Sequence, residues 1–311
     1  AVVGFVLLIP AVLSFAVERR VRRRQAAAMS ARATPHRPEP VALRDRVLFG
    51  VCLLIAAAIL VMIGMAVFAS LATYWPYKLA PSLKNYDFSN MDGGGWGSYV
   101  NSLKLGLGAA AAGAVATFLS AYLVEKPRHF GLLREALNLL ANLPLAVPGL
   151  VLGVGYIFFF NAPANPLNGL YGGMAILIVC TVAHFFSVAH LTSLTALRQL
   201  DREYELVAES MGVPFWRTLW RVHLPVALPT VLQVGGYFFV NAMTTVSAVV
   251  FLYSPQTTLA AIAVLNMDDA GDVAPAAAMA SLIMLTAAIG RGLFALAGQA
   301  VLARTQGWRS R

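Results

Sequence analysis

Few side chains in this sequence are of the kind that does chemistry, and their spacing decides what they can do. His184 and His190 stand six positions apart, which puts them on different faces of a helix. Each reads as a packed, hydrogen-bonded side chain rather than a metal ligand. Cys52 and Cys180 lie in separate apolar stretches, joined by no redox or metal spacing. There is no serine–histidine–acid spacing, no zinc pattern and no G-x-x-x-x-G-K. No catalytic residue, metal site or cofactor bound by this chain is therefore expected. The densest polar group inside an apolar stretch is Asn241, Thr244, Thr245 and Ser247. Asn241, Thr244 and Thr245 are three and four apart, so on a helix they share a face. They suit equally the lining of a pathway and interhelical hydrogen bonding.

A second group is charged. Residues 201–229 form the long charged segment of an otherwise apolar chain, with Asp201, Glu203, Glu205 and Glu209 early and Arg217 and Arg221 late. Acid before base is the order a helix dipole favours. Gly212 can end one short helix and Pro214 can open another. The pattern reads as helix, glycine break, helix, between two membrane spans. An amphipathic loop resting on lipid is the plainer alternative.

The elements that position these groups follow from composition. The chain has 311 residues, 59% of them hydrophobic and 12% charged. A soluble protein carries about 25% charged residues, so an all-α, polytopic membrane protein is expected. The net charge of +9 falls in short clusters beside apolar runs. That is the pattern of membrane orientation and not of nucleic-acid binding. Residues 1–18 read as the remnant of a preceding transmembrane helix, and the Arg- and Pro-containing stretch 19–45 as a basic cytoplasmic linker. Six spans follow, at 46–73, 99–124, 136–160, 171–196, 226–253 and 274–300. The second is rich in small residues between Gly106 and Gly113, which suits close helix packing. The third is interrupted by Pro144, Pro148 and Gly149, breakers that lipid tolerates only beside neighbours or a cavity.

Lys126, Arg128 and Arg134 place one turn in the cytoplasm; Lys78, Lys84 and Lys104 are the bases assigned to the outer side. The C-terminus, with Arg304, Arg309 and Arg311, then lies in the cytoplasm. The segment 254–273, with Asp268, Asp269 and Asp272, lies outside. This reading places no acidic or basic residue at mid-span, which weighs against an ion-coupled carrier.

The charged segment resembles the EAA loop of importer-type ABC permeases. In that pattern a glycine is followed after nine residues by a hydrophobic-x-Leu-Pro sequence. Here Gly212 precedes Val222-His223-Leu224-Pro225 at that spacing. The E-A-A triplet is replaced by Leu206-Val207-Ala208, with acids at Glu205 and Glu209. The resemblance extends over residues 46–311, a MetI-like six-helix permease domain with its coupling loop at 197–229. Asn101-Ser102-Leu103 and the Pro144…Pro148-Gly149 stretch are similar to segments of that family. Residues 155–166, 241–247 and 265–272 resemble 2-aminoethylphosphonate permeases, which are similar to ferric-iron permeases, many of them fused double domains.

The resemblance implies a bacterial inner-membrane permease, not an enzyme, that pairs with an ABC ATPase dimer carrying ATP-Mg. It further implies a second permease domain, either fused before Ala1 or separate, and a periplasmic substrate-binding protein. Glu205, Ala208, Glu209, Gly212, Arg217, Leu224 and Pro225 would form the coupling loop. The implied substrate is 2-aminoethylphosphonate, with ferric iron or a polyamine as the alternative.

Overall fold

The computed structural model describes residues 41–89, 93–127, 131–201 and 203–305. The expected helix remnant and most of the linker lie outside the described residues. The chain is helical almost throughout. Helix α1 (Ala42–Leu71) leads into a two-stranded antiparallel ribbon, β1 (Ala72–Tyr74) and β2 (Lys78–Pro81). Then come α2 (Gly95–Glu125), α3 (Gly131–Asn142), α4 (Gly149–Phe160), α5 (Met174–His184) and α6 (Phe186–Arg198). The short helices α7 (Glu203–Ser210) and α8 (Phe215–Thr218) precede α9 (Leu224–Thr244), α10 (Ala260–Asp269) and α11 (Val273–Thr305).

Among the described residues, four stretches are long and apolar enough to cross a membrane: α1, α2, Phe215–Thr244 and α11. The expected third and fourth spans are bent pairs, so six crossings require each pair to act as one. In the third, Gly131–Ala146 meets Gly149–Phe160 at 114°. Pro144 and Pro148 break the helix, but the direction comes from packing. A Cβ on Gly153 would lie 2.7 Å from the Ala248 carbonyl oxygen, so only a glycine lets α4 settle on that turn. The fourth is bent by 58° at Phe185.

The expected fifth span, 226–253, is corrected more substantially. Helix α9 ends at Thr244, Thr245 is extended, and residues 247–252 form turns. The expected outer loop 254–273 likewise contains α10, whose Ala260, Ile262, Ala263 and Met267 are buried. Its first amide is capped from another helix: the buried Ser102 hydroxyl accepts from the Ala260 N–H at 2.8 Å. Beside it, the Asn101 amide donates to the Gln256 and Thr258 carbonyls at 2.9 and 3.1 Å. This gives the Asn101-Ser102 pair a structural purpose. It fastens the first turns of α2 to the loop entering α10.

The centre of the bundle is α9, packed between α2 and α11, with Phe238 and Met243 fully buried. The small residues of α2 make this contact, as the sequence indicates. A Cβ on Gly113 would stand 2.6 Å from the Phe238 ring, and one on Gly106 would stand 3.0 Å from Phe239. Gly290 of α11 faces the same Phe239 ring. Such contacts exclude even one added methyl group without movement. By contrast α1 is exposed along nearly its whole length, with only Ala69 and Ser70 buried.

Gly113→Val should therefore destabilise the bundle by about 1–3 kcal/mol, as overpacking does. Gly50→Val on α1, where nothing lies within 4 Å of an added Cβ, should have a much smaller effect. Thermal unfolding of the two variants in detergent measures the difference.

Candidate functional site

The 201–229 segment folds as its residues dictate. Helix α7 ends in a glycine turn in which the Val213 N–H reaches the Ala208 carbonyl at 2.9 Å and the Gly212 N–H reaches that of Glu209 at 3.1 Å. This pair of bonds is the Schellman arrangement, and Gly212 adopts the left-handed φ of +66° that it requires. Pro214, extended at ψ 145°, directs the chain into α8. A wide turn, Leu219–His223, follows, with the Leu224 N–H bonded to the Leu219 carbonyl five residues back. Pro225 comes next. It has no N–H and its ring crowds the carbonyl four residues earlier, which accounts for the wider turn there.

The segment is tied to the bundle through Glu205. Its carboxylate lies 2.6 Å from Lys126 Nζ, just past the end of α2, and 3.0 Å from His223 Nε2, just before α9. The Lys126 side chain is 7% exposed, Glu205 18%, and His223 is fully buried. Lys126 and Glu205 are at ion-pair distance, with the His223 ring nitrogen set against the same carboxylate oxygen, whereas neither Glu205 Oε1 nor His223 Nε2 completes an aligned hydrogen bond. Charge attraction in a poorly solvated site therefore makes the tie.

The end of α2 is a hub for the neighbouring helices. Glu125 pairs with Arg198 of α6 at 3.1 Å, and Arg134 of α3 donates to the Val124 carbonyl at 2.6 Å. The Tyr122 hydroxyl donates to the Phe215 carbonyl at 3.3 Å, and its ring packs against His223. Lys126, Tyr122 and His223 were not among the expected site residues. Lys126 is far away in sequence, so nothing local to the loop points to it.

The remaining loop residues are placed as follows. Ala208 is half-buried, Glu209 and Gly212 are exposed, and Arg217 is exposed with its guanidinium 5.2 Å from the Trp216 ring centre. Leu224 packs against the cluster formed by Phe118, Tyr122 and Leu197, with Pro225 half-buried beside it. Leu206, Val207, Met211, Phe215, Trp216 and Trp220 are all exposed. These exposed apolar side chains lie on the two short helices and in the turns that follow them.

The expected helical face of Asn241, Thr244 and Thr245, with Ser247 beyond it, does not form, because α9 ends at Thr244. Asn241 and Thr244 are on α9 and bond to their own helix, to the Tyr237 carbonyl at 2.8 Å and the Val240 carbonyl at 3.1 Å. Thr245 lies beyond the helix and is buried, and Ser247 sits in the following turn beside Gly149. Of the four, Asn241 alone lines a cavity of about 440 Å³ between α6, α9 and α11. That cavity is also lined by Arg291, an exposed residue well inside α11, which corrects the expectation that no charge sits at mid-span. His190 is fully buried, 3.4 Å from the Asn138 amide oxygen and stacked on Phe186.

The described residues thus form a bundle with helices of membrane-spanning length, a cavity among its central helices and an anchored, apolar-faced loop at one end. The chain belongs to the family described as binding-protein-dependent transport system inner membrane components, which it matches over residues 117–302. Membership in a family of transport components bears out the expectation that it is not an enzyme.

Among relatives, it is 30% identical over 225 residues to the ferric transport system permease protein FbpB of Actinobacillus pleuropneumoniae, covering 71% of this chain and 32% of the relative. The chain thus spans about a third of the length of that protein. It is 26% identical over 238 residues to a Salmonella typhimurium protein provisionally named 2-aminoethylphosphonate transport system permease protein PhnV, covering 75% of this chain and 84% of the relative. A crystal structure of a bacterial alginate ABC transporter, in complex with an alginate pentasaccharide-bound periplasmic protein, matches with a TM-score of 0.63. That match covers 84% of this chain and 95% of the other at 15% identity, a likeness of fold.

Glu205→Ala should leave Lys126 buried without its counter-charge, at a cost approaching the roughly 3–5 kcal/mol typical of a broken buried pair. Arg198→Ala opens the more exposed pair with Glu125 and should cost under about 1 kcal/mol. Protease cleavage within the loop should accelerate strongly in the first variant and little in the second.

Proposed function

We propose that the chain is the permease subunit of an ATP-driven importer of the bacterial inner membrane, multi-pass, with its C-terminus in the cytoplasm. The observation that carries this reading is the coupling loop itself. Two short helices about Gly212 present an exposed apolar face, while Glu205 ties them to α2 and α9. A pair of ATPase subunits would bind that face, with ATP-Mg held on those subunits and none on this chain. A second permease domain would complete the pathway, and a periplasmic binding protein would deliver substrate on the opposite side.

Mechanically, closure of the ATPases would push the loop, and the tie at Glu205 would pass that push to α2 and α9. Helix α9 contributes Asn241 to the cavity, so movement of the loop would reshape the route. Thr244, Thr245 and Ser247 would serve structure at the far end of α9.

For substrate, the reading is 2-aminoethylphosphonate. It is supported by the resemblance of residues 155–166, 241–247 and 265–272 to permeases of that type. It is supported too by a match extending over 84% of the Salmonella relative. Ferric iron is the second reading, favoured by the higher identity, 30%, to the Actinobacillus protein. The ligand that stabilises the cognate binding protein against heat decides between them.

The coupling assignment is tested at Gly212. A β-branched residue there must hold a left-handed conformation, at a cost of about 1–2 kcal/mol, although no atom lies near the added Cβ. Gly212→Val should leave the bundle folded while lowering ATPase co-purification or uptake about tenfold. Normal association together with normal uptake would show that this turn does not couple the two subunits.

A further inference from the structure

Arg291 is a charge in an unusual position. It is the nineteenth residue of α11 counted from Val273, and so far from either end of a 33-residue helix. An ionised side chain at that depth is unstable against lipid and belongs against a cavity or a polar partner. Here it lines the 440 Å³ cavity with Thr192, Gln233, Tyr237 and Asn241, and none of the lining residues is acidic.

Its hydrogen bonding is nearly unspent. Among the described residues, Arg291 makes no ion pair, and its recorded polar contact is a long one, Nη1 to the Gln233 carbonyl at 3.5 Å. Gly236 leaves the guanidinium room to lie against α9, since a Cβ there would be 3.4 Å from Nη1. The neighbours supply further donors: among the described residues, the Gln233 amide and the Tyr237 hydroxyl have no hydrogen-bond partner. Asn241 uses its amide N–H₂ on the Tyr237 carbonyl. Thr192 likewise spends its hydroxyl donor on the Val188 carbonyl, so the unspent donors of the cavity are those of Arg291, Gln233 and Tyr237; its fixed charge is positive and its volume suits a small molecule.

From this we propose that the cavity is a transit site for an oxyanion, with Arg291 gripping the anionic group of the substrate. A guanidinium presents paired N–H groups that match two oxygens of a phosphonate or carboxylate. A bare ferric ion would be repelled there, whereas iron chelated by carboxylates would present the same oxyanion chemistry. The proposal rests on the importer reading and refines it: whatever crosses here crosses as an anion.

The test uses the assembled transporter with its ATPase and binding protein in proteoliposomes. ATP hydrolysis stimulated by the binding protein is measured beside uptake of labelled 2-aminoethylphosphonate and of citrate-chelated ferric iron. Arg291→Gln should lower uptake of the transported oxyanion at least about tenfold, the loss of one charged contact. Stimulated hydrolysis should persist, and Arg291→Lys should restore part of the uptake. The substrate of the two that moves in the unsubstituted complex identifies the source of the oxyanion.

A second measurement does not depend on Arg291 variants folding. With Cys52 and Cys180 replaced by alanine, Ala288→Cys places a thiol on the cavity wall. Millimolar 2-aminoethylphosphonate or citrate should slow its alkylation, and ethanolamine at the same concentration should not. Unchanged uptake by an assembled Arg291→Gln complex, or alkylation that neither anion slows, would overturn the oxyanion site. A complex of the unsubstituted chain that neither binds the ATPase nor hydrolyses ATP would overturn the importer reading, and this proposal with it.

Discussion

A carboxylate held between a lysine and a histidine, in a place with little water, sets the mechanical character of this molecule. Glu205 belongs to a helix of eight residues, too short to hold its own shape in water. Its charge pairs with Lys126 and sits against the His223 ring, at the ends of two long helices. Coulombic attraction between Glu205 and Lys126 is stronger there than at an exposed surface, and losing either one strands the other's charge. The loop therefore takes its position from the bundle. Arg134 on the carbonyls of α2 and Tyr122 on that of Phe215 reinforce the same corner.

What is fixed at that corner is passed along α9. Its aromatic side chains fill grooves left by glycines on both neighbours, Gly106 and Gly113 on α2 and Gly290 on α11. Contacts this close resist sliding, so α2, α9 and α11 have few relative positions open to them. A displacement of the loop end thus reaches the cavity as a movement of helices rather than as a local adjustment. The cavity lies on the side of α9 that faces α6 and α11, with Gln233, Tyr237 and Asn241 spaced at helical intervals.

How far the sequence discloses this depends on the range of each interaction. The turn at Gly212 was legible because a left-handed residue is a local demand that glycine meets, and the structure has it at φ +66°. The small residues of α2 were legible as a packing surface for a similar reason. The end of α9 was not, because apolar residues continue past Thr244 with no glycine or proline before Pro255 to mark a stop. That chain turns there because Ala248, Val249 and Leu252 bury themselves against α2, α5 and α10. Prolines 144 and 148 signalled a break, but its 114° angle came from a glycine meeting Ala248, nearly a hundred residues on. Glu205 was legible as a charge in a loop but not as half of a buried pair. Arg291 escaped notice because a single charge disappears in the average of a long apolar run.

The central claim is that the loop and the ends of α2 and α9 move as one body. Spin labels at Ser210, in the loop, and at Leu123, exposed near the end of α2, report their separation directly. Measured by pulsed electron resonance in the assembled transporter, the distance should be a single narrow distribution that is the same without nucleotide and with ATP. A distance that shifts or splits when ATP binds would show the loop moving on its own hinge, and would contradict the account.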